Sequence, residues 1–256
     1  MAREHLLLNV ENEEDTLHQA PAPMTRRQKW KNWWYYHKFH LLVGLVAIVI
    51  GGYLIYGVVT EVKPDYTIVM LSKSGYAGDL MENLGDQLSV YGKDRNGDGK
   101  VAISVLDYAL GSAGGETDDA QTAEAAQAGM AKLSANLSTF DSVIFISDEA
   151  SFERLANEGL YAYLDGETPE EGATDYENMY VTWKDCKGLS GAELSSEWYE
   201  GITPDDLQKL FGDCRVSLRV IKGTQYENDA GKQEYYADSQ ELLQHLIDGT
   251  PGQMKE

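Results

Sequence analysis

The hydrophobic pattern divides the chain into three stretches. Residues 1–25, MAREHLLLNVENEEDTLHQAPAPMT, mix acidic and Pro/Ala runs around one isolated apolar segment, HLLLNV, and predict a polar tail with no regular element. Leu41 to Val59, LLVGLVAIVIGGYLIYGVV, follow as nineteen residues without a charge. At about 1.5 Å per helical residue this run crosses the roughly 30 Å hydrocarbon core of a bilayer. A soluble helix keeps a polar face, which this one lacks, so a transmembrane helix is expected over 39–60.

Beyond residue 60 short apolar runs alternate with amphipathic ones. DYTIVMLS (65–72) is rich in β-formers, and GDLMENLGDQLSVYG (78–92) places Leu80, Leu84, Leu88 and Tyr91 on one helical face, with Asp79 as the expected N-cap and Gly92 as the stop. KVAISVLDYAL (100–110) reads as a second strand, GSAGGETDD (111–119) as a loop, and AQTAEAAQAGMAKLSANLS (120–138) as a helix with Met130, Leu133 and Leu137 in a stripe. FDSVIFISD (140–148) and EASFERLANEG (149–159) make a third strand and helix, before LYAYLDG (160–166). Three successive β-α units predict an α/β domain over 61–256, with a mainly parallel sheet and helices on both faces. MYVTWKD (179–185), a capped helix TPDDLQKLFG (203–212), a strand CRVSLRVIKG (214–223) and a final helix DSQELLQHLIDG (238–249) complete it. Thr203 as N-cap and Pro204 at the first helical position mark the start of the second of these.

The run DSVIFISDEASFERLANEGLYAYLDG, with its acidic turn after a buried strand, short helix, glycine and strand ending in Leu-Asp, resembles the N-terminal lobe of bacterial extracytoplasmic solute-binding proteins. The resemblance covers roughly residues 64–166 and implies a single solute-binding-type lobe. A complete binding protein has two lobes, whereas 92 residues follow Leu164 here. In that respect the chain resembles the small single-pass proteins of Gram-positive bacteria that display such a domain outside the membrane.

Charge adds an orientation. Up to His40 there are six basic and five acidic residues, which leaves 37 acidic against 15 basic in the remainder of a chain of net charge −21. RRQKWKNWWYYHKFH, immediately before the apolar run, interleaves five Lys and Arg with Trp30, Trp33, Trp34, Tyr35 and Tyr36. Basic residues favour the cytoplasmic side and amphipathic rings the interface. The expectation is a cytoplasmic segment 1–38, a single pass through the cell membrane and an extracytoplasmic acidic domain. A cleaved signal peptide is the rival, set against a forty-residue lead and the lack of a small-x-small site after Val59. Gly44, Ala47, Gly51 and Gly52 allow weak self-association of such helices, though glycine is common in membrane spans in any case. The acidic excess disfavours nucleic acid as a partner.

Candidate chemistry is sparse. Asp94, Asn96 and Asp98, followed by Gly99, match the oxygen spacing of a Ca²⁺ loop, with the Lys100 carbonyl in the backbone-ligand position. Val105 stands where the closing carboxylate is required, so the sequence allows either a structural Ca²⁺ clip or a plain Asx/Gly turn. Cys186 and Cys214 fall outside the membrane and form either a disulfide or two unrelated buried thiols. His245 is the one histidine past residue 40, no G-x-S-x-G elbow exists, and GSAGG lacks the Gly-Lys-Ser/Thr ending of a phosphate loop. No enzyme is expected. Two functions fit: a tethered module binding a small solute or a protein partner, with Tyr161, Tyr163, Trp183, Trp198 and Tyr199 as candidate contacts, or an assembly protein that organises a membrane complex without a small ligand.

Overall fold

A computed structural model describes residues 23–60, 63–112 and 120–252; HLLLNV and most of the 111–119 loop lie outside these. The chain divides into two compact units, Met1–Glu61 and Val62–Glu256.

The described part of the first unit contains one continuous helix, α1 (Arg26–Thr60), of 35 residues, about 52 Å long at the standard rise. It begins at a capping box the hydropathy pattern does not reveal: Gln28 Oε1 accepts Thr25 N (3.0 Å) while Thr25 Oγ1 accepts Gln28 N (3.4 Å). The basic and aromatic stretch is therefore helical and runs straight into the apolar run. By length and composition the stretch Arg26–Leu54 is able to cross a membrane, a test that a signal sequence also passes. Its Trp30, Trp33, Trp34, Tyr35, Tyr36 and Phe39 rings are all exposed.

The second unit is built on a six-stranded sheet. β1 (Tyr66–Ser72) lies between β2 (Ile103–Ala109) and β3 (Ile144–Ser147), parallel to both. α2 (Gly78–Leu88) links β1 to β2, and α3 (Ala120–Thr139) carries the chain back over β1 to β3. Crossovers that step to opposite sides of β1 with the same hand place their helices on opposite faces. Residue alternation in β1 matches this: Ile68 and Met70 join Leu80, Leu84 and Leu88 of α2 in one core, while Val69 and Leu71 join Leu133 and α4 (Glu149–Asn157) in the other. β2 is held closely on both sides, because a Cβ on Gly85 of α2 would collide with the Ile103 carbonyl and one on Gly129 of α3 with the Ala109 carbonyl.

The far half of the sheet is antiparallel, so the sheet is mixed. β6 (Arg215–Arg219) pairs antiparallel with β3, and β4 (Tyr161–Ala162) and β5 (Tyr180–Thr182) both pair with its other edge. Its sequence RVSLR already alternates, with Val216 and Leu218 entering the α2-side core, unlike the unbroken apolar runs of β1 and β3. Arg215 stacks on Phe152 and Tyr180 and pairs with Glu149 at 2.6 Å. Arg219, buried, stacks 4.1 Å from the Phe140 centroid and donates to the Leu137 carbonyl near the C-terminus of α3, where the helix dipole favours a cation. Burial lowers its guanidinium to about 10.

Helix starts follow local capping. Asp148 caps α4 by accepting Ser151 N at 2.7 Å. After the short α5 (Lys187–Ser190), the predicted cap of α6 (Pro204–Phe211) forms as a Thr203–Asp206 capping box. Asp79 is not the N-cap of α2, which is Ala77; its carboxylate instead accepts Ser196 Oγ and Glu197 N and fastens the 195–198 segment. The last helix, α7 (Ala230–Asp248), begins eight residues before the expected Asp238, because Asp229 caps it by accepting Lys232 N.

Candidate solute groove

The 93–100 segment is the first place to look for a site. Asp94 Oδ1 accepts Gly97 N (2.6 Å) and its Oδ2 accepts Gly99 N (2.9 Å); Asn96 Oδ1 accepts Asp98 N (2.8 Å) and Asp98 Oδ1 accepts Lys100 N (2.9 Å). The motif's oxygens are thus turned to the loop's own backbone. The residue that organises the loop is Asp65, buried at the start of β1: its Oδ1 accepts Arg95 N (2.7 Å) and Asn96 N (3.0 Å), its Oδ2 Ala102 N (2.9 Å). Asp238 of α7 adds ion pairs to Arg95 (2.7 Å) and Lys93 (2.5 Å). Among the described residues no group of three or more His, Cys, Asp or Glu is placed to hold a metal. These hydrogen bonds, together with those of Asp65, account for the shape of the 94–102 loop.

The expected bridge between Cys186 and Cys214 is not formed: both are free, buried thiols in the α2-side core. Cys186 precedes α5 and Cys214 precedes β6, and each is surrounded by apolar side chains that push its thiol up to about 12. Of the candidate aromatic contacts, Tyr161 and Trp183 are core residues, 1% and 0% exposed. Trp183 donates to Gln208 Oε1 at 2.7 Å, and Tyr161 stacks on Phe152. Tyr163 and Tyr199 are half-buried, and Trp198 is 80% exposed. His245 is held with Nδ1 3.0 Å from the Tyr91 carbonyl, beside the Lys93–Asp238 pair.

Open α/β sheets ordinarily hold ligands at the carboxyl ends of their strands, where strand order reverses. Here that edge carries Asp148, which also accepts Lys73 N, and Asp107 of β2, whose Oδ2 accepts Tyr76 N at 3.0 Å. Asp107 Oδ1 is buried with no hydrogen-bond donor among the described residues, and burial raises the carboxyl to about 6. Gly75, at φ 80°, allows its loop to lie against this carboxylate.

A broad, open concavity lies elsewhere, along the α3 side of the β2 edge strand. Ser104, Leu106 and Tyr108 of β2 form its floor, α3 supplies Lys132, Ala135 and Asn136, and the start of α7 supplies Lys232 and Tyr235; it encloses about 920 Å³. Period-two alternation in β2 sends 104, 106 and 108 to this face, and helical spacing places 132, 135, 136 and 139 together. Asn136 is 6% exposed; its Nδ2 donates to Ser142 Oγ at 2.9 Å while its Oδ1 has no donor among the described residues. Burial raises the Tyr108 hydroxyl, and Asn136 draws it partway back. Tyr235 donates to the Asp141 carbonyl (2.7 Å), and Lys232 Nζ to the carbonyls of Thr139 (2.8 Å) and Phe140 (2.9 Å), closing the C-terminus of α3. Sequence reading missed Asn136 because a lone Asn in an alanine-rich helix carries no spacing signal. Comparison of the chain with protein-family models, curated proteins and solved structures returns no match.

Proposed function

We propose that the chain is a single-pass membrane protein whose α/β domain is displayed outside the cytoplasm as a solute-binding module, and that the solute occupies the groove between β2, α3 and the start of α7. Anchoring is supported by α1, apolar around its whole circumference past Leu41 and flanked on its N-terminal side by Arg26, Arg27, Lys29, Lys31 and Lys38. The observation that carries the binding reading is the groove itself. Its volume suits a small molecule, and its floor is part apolar with polar groups from Ser104, Tyr108 and Asn136 beside it. Hydrogen–deuterium exchange of the full chain in nanodiscs, run against a panel of metabolite-sized polar compounds, tests it. A binder slows exchange in residues 103–109 and 130–139, and Ala135→Trp removes the effect. If no compound protects these segments, the groove is not a solute site.

The assembly reading is favoured by one different observation. Trp198, Ile202 and Leu210 are 80%, 45% and 55% exposed, and large exposed apolar side chains close in sequence suit a protein contact. Loss of co-purifying membrane partners on Trp198→Ser, with groove protection absent, would select it.

A further inference from the structure

Resting on α1 as the membrane anchor, we infer that the basic turns at its start are a docking surface for anionic phospholipid headgroups in the leaflet at its N-terminal end. α1, 35 residues long, measures about 52 Å at the standard rise, whereas a hydrocarbon core takes about 30 Å and a whole bilayer about 40–45 Å. With the apolar run from Leu41 in the core, the turns before it stand in and beyond a headgroup layer about 5–8 Å deep. Those turns carry Arg26, Arg27, Lys29, Lys31 and Lys38, and the chain has no Asp or Glu between Asp15 and Glu61. All five cations are exposed. The ion pairs among the described residues all lie in the second unit, and Lys38 rests only against a ring, its Nζ 5.1 Å from the Tyr35 centroid.

The charge is arranged as well as concentrated. At 100° per residue, Arg27, Lys31, Trp34 and Lys38 fall within about 60° of one another and form one stripe. Measured along the axis from Leu41, Lys38 is about 4.5 Å out, at headgroup depth, while Lys31 and Arg27 are about 15 and 21 Å out, roughly one and two screening lengths past the headgroups at physiological salt. Lys38 therefore makes the close contact, and the outer four cations add a longer-range attraction that salt removes. The occupant is a lipid surface because the stripe runs without a break into the apolar span and because the exposed rings of Trp33, Trp34 and Tyr35, set among the cations, favour the boundary between water and lipid. Like charge disfavours a second copy in the same place.

The test uses the full chain in phosphatidylcholine vesicles with a trace of chain-spin-labelled phosphatidylglycerol or phosphatidylcholine. The motionally restricted part of the electron spin resonance spectrum gives the relative association of the two lipids, and with both leaflets alike the orientation of the chain does not enter. Phosphatidylglycerol associates about fivefold more strongly at 0.02 M salt, the scale of one cation at an anionic surface, and about twofold at 0.5 M, where the screening length falls to about 4 Å. Lys38→Gln brings the ratio at 0.5 M to about one. The joint variant Arg26→Gln, Arg27→Gln, Lys29→Gln and Lys31→Gln keeps it near about two and flattens its dependence on salt. Equal association of the two lipids with the parent at low salt, or a preference that survives loss of all five cations, overturns the inference. So does a preference abolished by inorganic phosphate at constant ionic strength, which would make the face a site for the free ion. Release of the parent chain from the vesicles by alkaline carbonate overturns the anchor itself and this inference with it; a chain that stays in the membrane without a lipid preference overturns this inference alone.

Discussion

Replacing Asp107 with Asn makes the protein more stable at neutral pH and no more stable in acid. The carboxyl group stands at the end of β2 with Oδ2 on Tyr76 N and Oδ1 buried without a donor, an arrangement that penalises the ionised form. Burial raises its pKa from 3.8 to about 6, with the Tyr76 N–H and the Lys132 charge only partly opposing. The folded chain therefore holds this proton more tightly than the unfolded chain. Its stability is undiminished below the unfolded value, falls as pH rises through the window from about 4 to 6, and stays reduced above it. Two pKa units correspond to about 3 kcal/mol; the group keeps partial contact with water, and allowing for that screening halves the figure to about 1.5 kcal/mol. For a domain of this size that is about 3–6 °C in melting temperature. Near-UV circular dichroism, dominated by buried rings such as Trp183, follows the melt at pH 7.5 and pH 4. Asp107→Asn should melt higher by that amount at pH 7.5 and together with the parent at pH 4. An equal difference at both pH values, or a lower melting point at pH 7.5, would refute the desolvation account.

Four further outcomes follow from packing, burial and hydrogen bonding. Asp65→Ala strips three backbone N–H groups of their acceptor and should destabilise the domain by about 2–4 kcal/mol in urea titration, whereas Asp98→Ala, in the exposed part of the loop, should change it by under about 1 kcal/mol; similar losses would return the motif's own side chains to the centre of the loop. Millimolar Ca²⁺ should move the melting temperature by less than about 1 °C, and a larger rise abolished by Asp98→Ala would place an ion there after all. Gly129→Ala, which forces a methyl against the Ala109 carbonyl, should cost about 1–3 kcal/mol despite alanine's better helix propensity, and a stabilised variant would show that α3 does not hold β2 this closely. Cys186 and Cys214 should both resist a thiol reagent in the native protein and both react after denaturation under non-reducing conditions; no reaction after denaturation would reveal a bond between them.

What the sequence made legible was what periodicity encodes. The apolar span, the first three strands, their helices and the Thr203 cap follow from spacing alone, because each is decided by which neighbours share a face. The direction of β6 was harder, since a strand's residues do not state which way it enters a sheet, although the polar alternation of Arg215, Ser217 and Arg219 hints at departure from a parallel run. The early start of α7 was hidden by Gly231 and resolved by a cap, Asp229, lying beyond the apolar stripe. The groove was the least legible feature: Lys132, Asn136 and Tyr108 are brought together by the crossover of α3 onto β2, and their joint character exists only after folding. The calcium-like motif shows the converse, since the spacing of Asp94, Asn96 and Asp98 is plain in sequence while the backbone N–H groups they accept from appear only in the folded loop.

The aromatic residues of α1 have a mechanical consequence. At 100° per residue, Trp30, Trp33, Trp34, Tyr35, Tyr36 and Phe39 point to all sides of the helix, so with α1 anchored in a bilayer as proposed above, the interface would grip the collar equally at every azimuth. Such an anchor sets depth as a float does, without a keel: the lipid resists vertical displacement strongly and offers almost no torque against spinning about the helix axis. On that reading any fixed azimuth of α1 must come from contacts between proteins, and spin-label anisotropy on α1 would read it directly.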